Sequence, residues 1–328
     1  MNRYNLLHTT EFRYDGPVSE SYNEVRLRPL HDDRQSCLSF RLVTNPVSRG
    51  TTFRDAFGNS VHEFNIMPEH RNLKIEAESV VLVHDIAGLP VGGMTLADLD
   101  SRACELSEEF WDNVMPTGYV PHVTQLDALI TAASNLCDGS VSGFALAASD
   151  LIHERFQYVK GATHVSSSIT DSLSLGAGVC QDFAHLLLGV LRKRGLPARY
   201  VSGYMVPETA ALPNSKLQQV IGGHASHAWA EVYLPDVGWF GLDPTLGEPI
   251  GFQHIRIGYG RDYGDVAPVR GVYNGHAGQR LSVDVRVRPD LDDGGCERLN
   301  ENKARATETP PIEQRAQQPA QQQQQQQQ

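Results

Sequence analysis

The stretch Gly178-Val179-Cys180-Gln181-Asp182-Phe183-Ala184-His185 places a cysteine between a glycine-containing turn and the start of a predicted helix. Apolar side chains then recur at steps of three and four residues, which is typical of a helix with one buried face. They are Phe183, Ala184, Leu187, Leu188 and Leu191. We expect this helix to end at Gly195, with Pro197 just beyond it. Cys180 therefore lies in the first helical turn, where unpaired N–H groups and the helix dipole favour an anion such as a thiolate.

A histidine and an aspartate further along the chain distinguish Cys180 from the small buried cysteines that are commoner in soluble proteins. Residues 227–234 alternate in the manner of a β-strand, beginning with His227. A turn at 235–238 leads into a second predicted strand, which ends at Asp243. Neighbouring strands joined by a tight turn can bring the carboxylate of Asp243 next to the ring of His227. In thiol acyl-transfer chemistry the histidine takes the thiol proton and the carboxylate orients the ring and stabilises its cation.

These segments resemble the transglutaminase-like superfamily, and specifically its bacterial branch. The core blocks that carry the resemblance are Gly178 to His185, Gly195-Leu-Pro-Ala-Arg-Tyr-Val-Ser-Gly203-Tyr, His227-Ala-Trp-Ala-Glu and Asp243-Pro-Thr. The flanking blocks are His8-Thr-Thr-Glu-Phe-Arg-Tyr14, Leu27-Arg-Pro29, Asp55-Ala-Phe-Gly58-Asn59 and Gly260-Arg-Asp-Tyr263. The resemblance covers roughly the first 290 residues. It implies a papain-like, transglutaminase-like core in which Cys180 is the nucleophile, His227 the base and Asp243 its partner.

The chain is predicted to have an α+β fold with two structured parts and a tail. Residues 1–85 alternate with a period of two in short runs separated by turns, which predicts an antiparallel β-sandwich. The Gly- and Pro-rich segment 86–94 is the predicted linker. Residues 95–290 begin with helical periodicity and continue with strands, which predicts helices packed on an antiparallel sheet. Residues 291–328 are rich in charge, proline and glutamine, and we expect them to be disordered.

Other residues near the motifs have simpler interpretations. The Ser- and Thr-rich segment 163–174 is predicted to be a loop. His185 is five residues after Cys180, more than one helical turn, so we expect it to point to another face and to be structural. His224 and His227 could form a metal site with Cys180. Residues three apart on a strand face opposite sides, however, and no fourth ligand has suitable spacing, so zinc is disfavoured.

Composition limits the classes of partner. The 328-residue chain has a formal net charge of −11 and no basic cluster, which argues against nucleic acid or a membrane as the main partner. It has no apolar run long enough to span a bilayer, and the start of the chain has no apolar leader segment. The five cysteines are widely spaced without any Cys-x-x-Cys, so neither a disulfide framework nor a zinc finger is indicated. We therefore expect a cytoplasmic protein.

The sequence thus predicts an enzyme that forms a thioester through Cys180, with a carboxamide or peptide carbonyl as the group attacked. The substrate is expected to be a protein or peptide, and no cofactor or metal is required. An amine acceptor would make the protein a transglutaminase-like acyltransferase, and water would make it a cysteine peptidase or amidase. A non-catalytic binding module on the same fold is the less favoured alternative. The backbone N–H of Cys180 is the expected first donor to the oxyanion, and the sequence leaves the second donor open.

Overall fold

A computed structural model describes residues 1–84, 93–206, 226–290 and 321–324. Its strands are β1 (Asn2–Val25), β2 (Gln35–Asn45), β3 (Gly50–Arg54), β4 (Ser60–Ile66), β5 (His70–Val83), β6 (Gln157–Tyr158), β7 (Ala177–Gly178), β8 (Ala198–Met205), β9 (His227–Leu234), β10 (Gly238–Asp243), β11 (Glu248–Pro249), β12 (His254–Gly260), β13 (Val269–Asn274), β14 (Gln279–Pro289) and β15 (Gln321–Gln324). Its helices are α1 (Leu96–Ser101), α2 (Ala103–Glu109), α3 (Trp111–Val114), α4 (Asp127–Leu136), α5 (Val141–Arg155), α6 (Ile169–Leu175), α7 (Cys180–Lys193) and α8 (Tyr263–Val266), with a 3₁₀ turn at Thr124–Leu126. Within these residues, no helix is both long and apolar enough to cross a membrane.

The first part of the chain forms an antiparallel sheet built around the long strand β1. Residues of β1 alternate between buried and exposed positions, as the period of two in the sequence predicts. The first half of β1 pairs with β5 and β14, and its second half pairs with β4 and β13. Phe12, Leu73 and Ile75 are almost completely buried in the core of this sheet. Period-two burial of apolar side chains therefore accounts for this part of the fold.

The sheet also includes strands from the far end of the core segment. β13 and β14 pair with β1, although the sequence-based division assigned all of residues 95–290 to the core. The physical reason is that alternation identifies a strand but not the sheet that the strand joins. The two structured parts are therefore interleaved along the chain.

The glutamine-rich tail also differs from expectation at one place. β15 pairs antiparallel with β13, whereas disorder was expected throughout 291–328. An edge strand presents unpaired N–H and C=O groups, and the backbone of any extended segment can bond to them. The rest of the tail, and most of the predicted linker, lie outside the described residues.

The core consists of helices packed on the antiparallel sheet β11-β10-β9-β8-β12, which confirms the predicted α+β class. Helix α7 lies at its centre, with apolar side chains such as Leu187 and Leu191 fully buried. They pack in one cluster with Ala230 and Val232 of β9. Gly195, with a φ of +90°, ends the helix at the position the sequence predicts.

One local prediction is wrong. Residues 163–174, predicted to be a loop, contain most of helix α6. At the start of this helix the backbone N–H of Ser168 donates to the Asp171 carboxylate at 2.9 Å. Serine and threonine favour helix starts as well as loops, which explains why composition alone did not distinguish the two.

The two parts are joined by a polar contact between β2 and β12. The side-chain amide of Gln35 donates to the carbonyl of Arg256 at 2.8 Å and accepts from the N–H of the same residue at 2.8 Å. The Arg256 guanidinium also donates to the Asp32 carboxylate at 2.6 Å. Gln35 is almost completely buried. The N-terminal sheet therefore holds the backbone of β12 directly.

Candidate active site

The side chains of the predicted triad meet where α7 begins. Antiparallel pairing places the start of β9, the end of β10 and the start of β12 at one end of the core sheet. His227 and Asp243 come from the first two of these strand ends, and Cys180 is the first residue of α7. The structure thus brings together three residues that are up to 63 positions apart in the chain.

The turn before Cys180 is fixed by the buried carboxylate of Asp182. One oxygen of this carboxylate accepts from the Val179 backbone N–H at 2.8 Å and from the Thr163 hydroxyl at 2.6 Å. A Cβ on Gly178 would lie 2.6 Å from the Cβ of Asp182, which is too close for any residue except glycine. Asp182 therefore ties the turn that carries Cys180 to the segment that contains Thr163.

His227 and Asp243 form a short, buried hydrogen bond. His227 Nε2 and Asp243 Oδ2 are 2.6 Å apart, and the Asp243 side chain is fully buried. The other carboxylate oxygen accepts from the Thr245 backbone N–H at 2.9 Å. Because a buried charge requires several hydrogen bonds, these donors explain how Asp243 remains ionised inside the protein.

The His227 ring also interacts with Cys180. Both Asp243 and Cys180 act on its protonation, and Nδ1 is the ring nitrogen that the Asp243 hydrogen bond leaves available. Burial alone would lower the pKa of His227, but the charge and hydrogen bond of Asp243, helped by Cys180, raise it to about 10. Burial likewise favours a protonated Asp243, but His227 and His254 hold the pKa of this carboxyl well below its usual range. Both shifts favour an imidazolium held by a carboxylate.

Tyr158 is a further residue beside Cys180 that the sequence did not indicate. β6 and β7 pair in parallel, with Tyr158 opposite Gly178, and the N–H of Val159 donates to the Gly178 carbonyl at 2.9 Å. The Tyr158 hydroxyl interacts electrostatically with Cys180. Burial, together with the charges of Cys180 and nearby carboxylates, raises the pKa of Tyr158, so the hydroxyl remains a donor. No local sequence pattern marks this residue, because a two-residue strand brings it to the site.

A second histidine shares the carboxylate of the pair. His254, at the start of β12, lies with its Nε2 at 3.1 Å from Asp243 Oδ2. Its Nδ1 accepts from the backbone N–H of Gly251 at 3.0 Å. His254 was also missed from sequence, since it follows Asp243 by 11 residues and belongs to no recognisable motif.

The side-chain nitrogen and oxygen atoms of His227, Asp243 and His254 all lie within 4.8 Å of one another, a spacing that is compatible with a metal site. The individual distances, however, are those of hydrogen bonds, at 2.6 and 3.1 Å. Because Nδ1 of His254 accepts a hydrogen bond from Gly251, the neutral ring carries its proton on Nε2. His254 therefore presents an N–H to this cluster and not a lone pair that could bind a metal. The donor set therefore fits hydrogen bonding and not a cation. His224, the other histidine considered from sequence, lies outside the described residues.

His185 is part of the packing beside the site, as the sequence analysis expected. Its Nε2 accepts from the backbone N–H of Tyr263 at 3.1 Å, and its ring stacks near Tyr119 and Tyr200. Burial lowers the pKa of His185 to about 3, so the ring is neutral. The Gly260–Tyr263 segment thus closes over α7 through a backbone bond to this histidine.

A buried ion-pair network lies farther along β9. The fully buried Glu231 carboxylate is 2.6 Å from Arg199 and 3.2 Å from Arg256. The Arg199 guanidinium lies over the rings of Trp239 and Tyr259, at 4.2 and 3.8 Å from their centroids. Burial raises the pKa of Glu231, but the arginines outweigh it and the net shift is downward. This network stabilises the sheet that carries the site and connects through Arg256 to the N-terminal part.

Two family matches and one full-length relative establish the class of protein. Residues 4–82 match the bacterial transglutaminase-like N-terminal region, and residues 133–244 match the transglutaminase-like superfamily. The chain is 34% identical over 287 residues to an uncharacterized protein of Mycobacterium leprae, a match that covers 88% of this chain and 99% of the relative. The chain therefore belongs to the transglutaminase-like superfamily.

Two further comparisons concern fold and a local segment. The crystal structure of a "putative cysteine protease" from Cytophaga hutchinsonii superposes with a TM-score of 0.65 and 21% identity, over 90% of this chain and 92% of that one. This likeness confirms the fold. A protein-glutamine gamma-glutamyltransferase of Pseudomonas aeruginosa is 36% identical over 98 residues, which are 28% of this chain and 14% of that protein.

Proposed function

We propose that this protein is a thiol-dependent acyl-transfer enzyme in which Cys180 attacks a carboxamide or peptide carbonyl. The observation that carries the proposal is the buried His227 ring, which is hydrogen-bonded to Asp243 and interacts electrostatically with Cys180, so that both groups raise its pKa. A ring held in this way can accept the thiol proton and return it to a leaving group.

The proposed reaction has two steps. In the first, the sulfur of Cys180 bonds to the carbonyl carbon, and the C–N bond breaks as the His227 imidazolium gives its proton to the departing ammonia or amine. The product of this step is a thioester. In the second, an amine or water attacks the thioester, its proton passes to His227, and the C–S bond breaks to regenerate the thiolate. No other reactant is needed for atoms and charges to balance.

Two donors are available for the negative oxygen that develops on the carbonyl. The backbone N–H of Cys180 is in the first turn of α7 and has no acceptor within the helix. The Tyr158 hydroxyl interacts with Cys180, and we infer that it can donate to a carbonyl bonded to that sulfur. Preorganised donors of this kind commonly make the largest contribution to acyl transfer. We assign Tyr158 as the second donor.

The proposed acceptor and substrate come from a relative that matches part of the chain. The Pseudomonas relative, a protein-glutamine gamma-glutamyltransferase, matches over 98 residues, which favours a glutamine carboxamide in a protein or peptide as acyl donor and an amine as acceptor. Water as acceptor would give a cysteine peptidase or amidase with the same three residues. A binding module without chemistry is the remaining alternative.

Capture of the acyl-enzyme tests the proposal. The full chain is incubated with a mixture of glutamine-containing peptides, quenched in acid, and the Cys180 peptide is examined by mass spectrometry. We expect an adduct on Cys180 that hydroxylamine releases as a hydroxamate, and no adduct in Cys180→Ala. An adduct that retains the whole peptide except ammonia indicates carboxamide chemistry, and one that retains only an N-terminal fragment indicates a peptidase.

The absence of any adduct has to be distinguished from the absence of a suitable peptide. Iodoacetamide needs no recognition and reports on the thiol directly. If Cys180 forms no adduct and also reacts with iodoacetamide no faster than the exposed Cys104, the enzymatic proposal is wrong and the binding-module alternative replaces it.

A further inference from the structure

His254 is a buried histidine that the proposed reaction does not use, although it bonds to the carboxylate at the centre of the site. Its side chain is fully buried, and Nε2 is 3.1 Å from Asp243 Oδ2. That oxygen is the same atom that bonds to His227 at 2.6 Å. A buried imidazole with one fixed partner on each nitrogen is a specific arrangement and not general packing.

The hydrogen bonds of His254 determine which of its two ring nitrogens carries the proton. The N–H of Gly251 donates to Nδ1 at 3.0 Å, so Nδ1 carries a lone pair and no proton. The neutral ring therefore has its proton on Nε2, and this N–H donates to Asp243. An imidazolium would place two N–H groups against each other at Gly251.

Neighbouring elements fix the ring in place. Trp229 of β9 meets it edge to face, with centroids 5.1 Å apart and an interplanar angle of 78°. β12 is paired with β8 on one edge, and Gln35 of the N-terminal sheet bonds to the backbone of Arg256, two residues from His254. The orientation of the His254 N–H is thus determined by three separate parts of the chain.

Asp243 is consequently held at three points. Oδ1 accepts from the Thr245 N–H at 2.9 Å, and Oδ2 accepts from both histidine rings. If Thr245 and His227 were the only donors to Asp243, its carboxylate could still rotate about the Cβ–Cγ bond. The His254 bond removes that freedom.

We propose that His254 is a positioning residue, which locks the carboxylate of Asp243 in the rotamer that orients His227 toward Cys180. It touches neither the nucleophile nor the substrate, and it acts only through Asp243. The inference rests on the proposed function, since it assigns a role within the same site.

Removal of the His254 N–H has two opposite effects on the stability of the His227 cation. The His254 N–H draws negative charge away from the oxygen that stabilises the His227 cation, so its removal alone would strengthen that cation. Loss of the fixed rotamer would weaken it. Loss of the rotamer is the larger effect, because a neutral N–H at 3.1 Å from Asp243 changes the charge on the carboxylate less than a rotation that breaks the 2.6 Å bond to His227.

The experiment measures the alkylation rate of Cys180 by iodoacetamide against pH in the full chain. His254→Leu removes the donor, and His254→Gln can present an amide N–H near the position of Nε2. We expect His254→Leu to slow the reaction at neutral pH by about tenfold or more, since tenfold is the lower end of the range for one hydrogen bond to a charged group, and to move its acid limb to higher pH. His254→Gln should restore most of the rate. The control is His70→Leu, which removes a largely buried histidine of the N-terminal sheet and should change nothing.

A double-mutant cycle separates positioning from general damage. In an Asp243→Asn background, His254→Leu should have no further effect, because there is no carboxylate left to hold. Equal effects in both backgrounds, or an acid limb that moves to lower pH, would overturn the inference. If His254→Leu does not fold, His254→Asn replaces it, since its shorter amide cannot reach Asp243, and equal rates for the Asn and Gln variants would then reject the role. A wild-type Cys180 that reacts like an ordinary thiol would instead reject the proposed function.

Discussion

Replacing Asp243 with asparagine perturbs the site with almost no change in size. All three of its hydrogen bonds come from N–H donors: Thr245 at 2.9 Å, His227 at 2.6 Å and His254 at 3.1 Å. An asparagine has one accepting oxygen and one NH₂ group, so in either orientation its NH₂ faces at least one of these donors. If the NH₂ group faces His227, the ring proton moves from Nε2 to Nδ1 so that Nε2 can accept from the amide. A protonated Nδ1 can no longer accept the proton of Cys180.

The expected magnitude follows from the pKa of His227. Burial lowers this pKa, and Asp243 is the main reason that it is instead raised to about 10. Without the carboxylate, Cys180 alone opposes burial, and we expect the pKa to fall to the ordinary value of about 6.5 or below it. At pH 8 the protonated fraction of His227 then drops from nearly all to about 3% or less, a loss of at least about thirtyfold. The wrong tautomer adds to this, and we expect a total loss of two or more orders of magnitude in turnover.

The assay is turnover of the acyl donor that labels Cys180, measured from about pH 6 to about pH 10, a range that spans the pKa of His227 expected in the two proteins. In the wild type, activity should persist until His227 loses its proton near pH 10. In Asp243→Asn it should already decline below neutral pH. The matched control is Asp236→Asn, which changes a carboxylate that accepts from the Met94 N–H in an exposed turn. If Asp243→Asn keeps the wild-type pH profile, Asp243 does not hold the His227 cation and the electrostatic reasoning is wrong.

Three further substitutions test other parts of the site. Tyr158→Phe removes only a hydroxyl and should lower turnover by about 10²–10³, the usual cost of one oxyanion donor, with an unchanged melting temperature; an unaltered kcat would remove Tyr158 from the mechanism. Gly178→Ala places a Cβ 2.6 Å from Asp182 and should displace the nucleophile turn, seen as slower alkylation of Cys180; a normal rate would show that the turn adapts. Glu231→Gln leaves the buried Arg199 guanidinium without its anion and Arg256 with Asp32 as its nearest carboxylate, and it should destabilise the fold by about 3 kcal/mol in denaturant unfolding; a change under about 1 kcal/mol would mean that solvent or other groups compensate.

Much of the site could be anticipated because its main residues lie in strongly patterned segments. Cys180 begins a helix whose apolar periodicity is clear, and His227 and Asp243 flank a two-strand hairpin with an evident turn. In each case one local element and one short connection suffice to place the side chain.

Tyr158 and His254 could not be anticipated for the same physical reason. Each is brought to the site by long-range pairing: Tyr158 through a two-residue parallel bridge and His254 through the outermost strand of the core sheet. A local sequence pattern predicts that a strand is present, but it does not predict which other strand pairs with it. The assignment of β13 and β14 to the N-terminal sheet was missed for this reason too.

The central claim is that Cys180 and His227 act as a coupled pair, and the pH dependence of Cys180 alkylation in the wild type and in His227→Ala tests it most directly. An isolated thiol reacts with a midpoint near pH 8.5, where it ionises. In the wild type we expect the reaction to begin well below that midpoint and to remain fast at neutral pH, because the His227 cation stabilises the thiolate. In His227→Ala the curve should move up toward that of an isolated thiol. Two superimposable curves with the midpoint of an ordinary thiol would contradict the claim and leave Cys180 a structural residue.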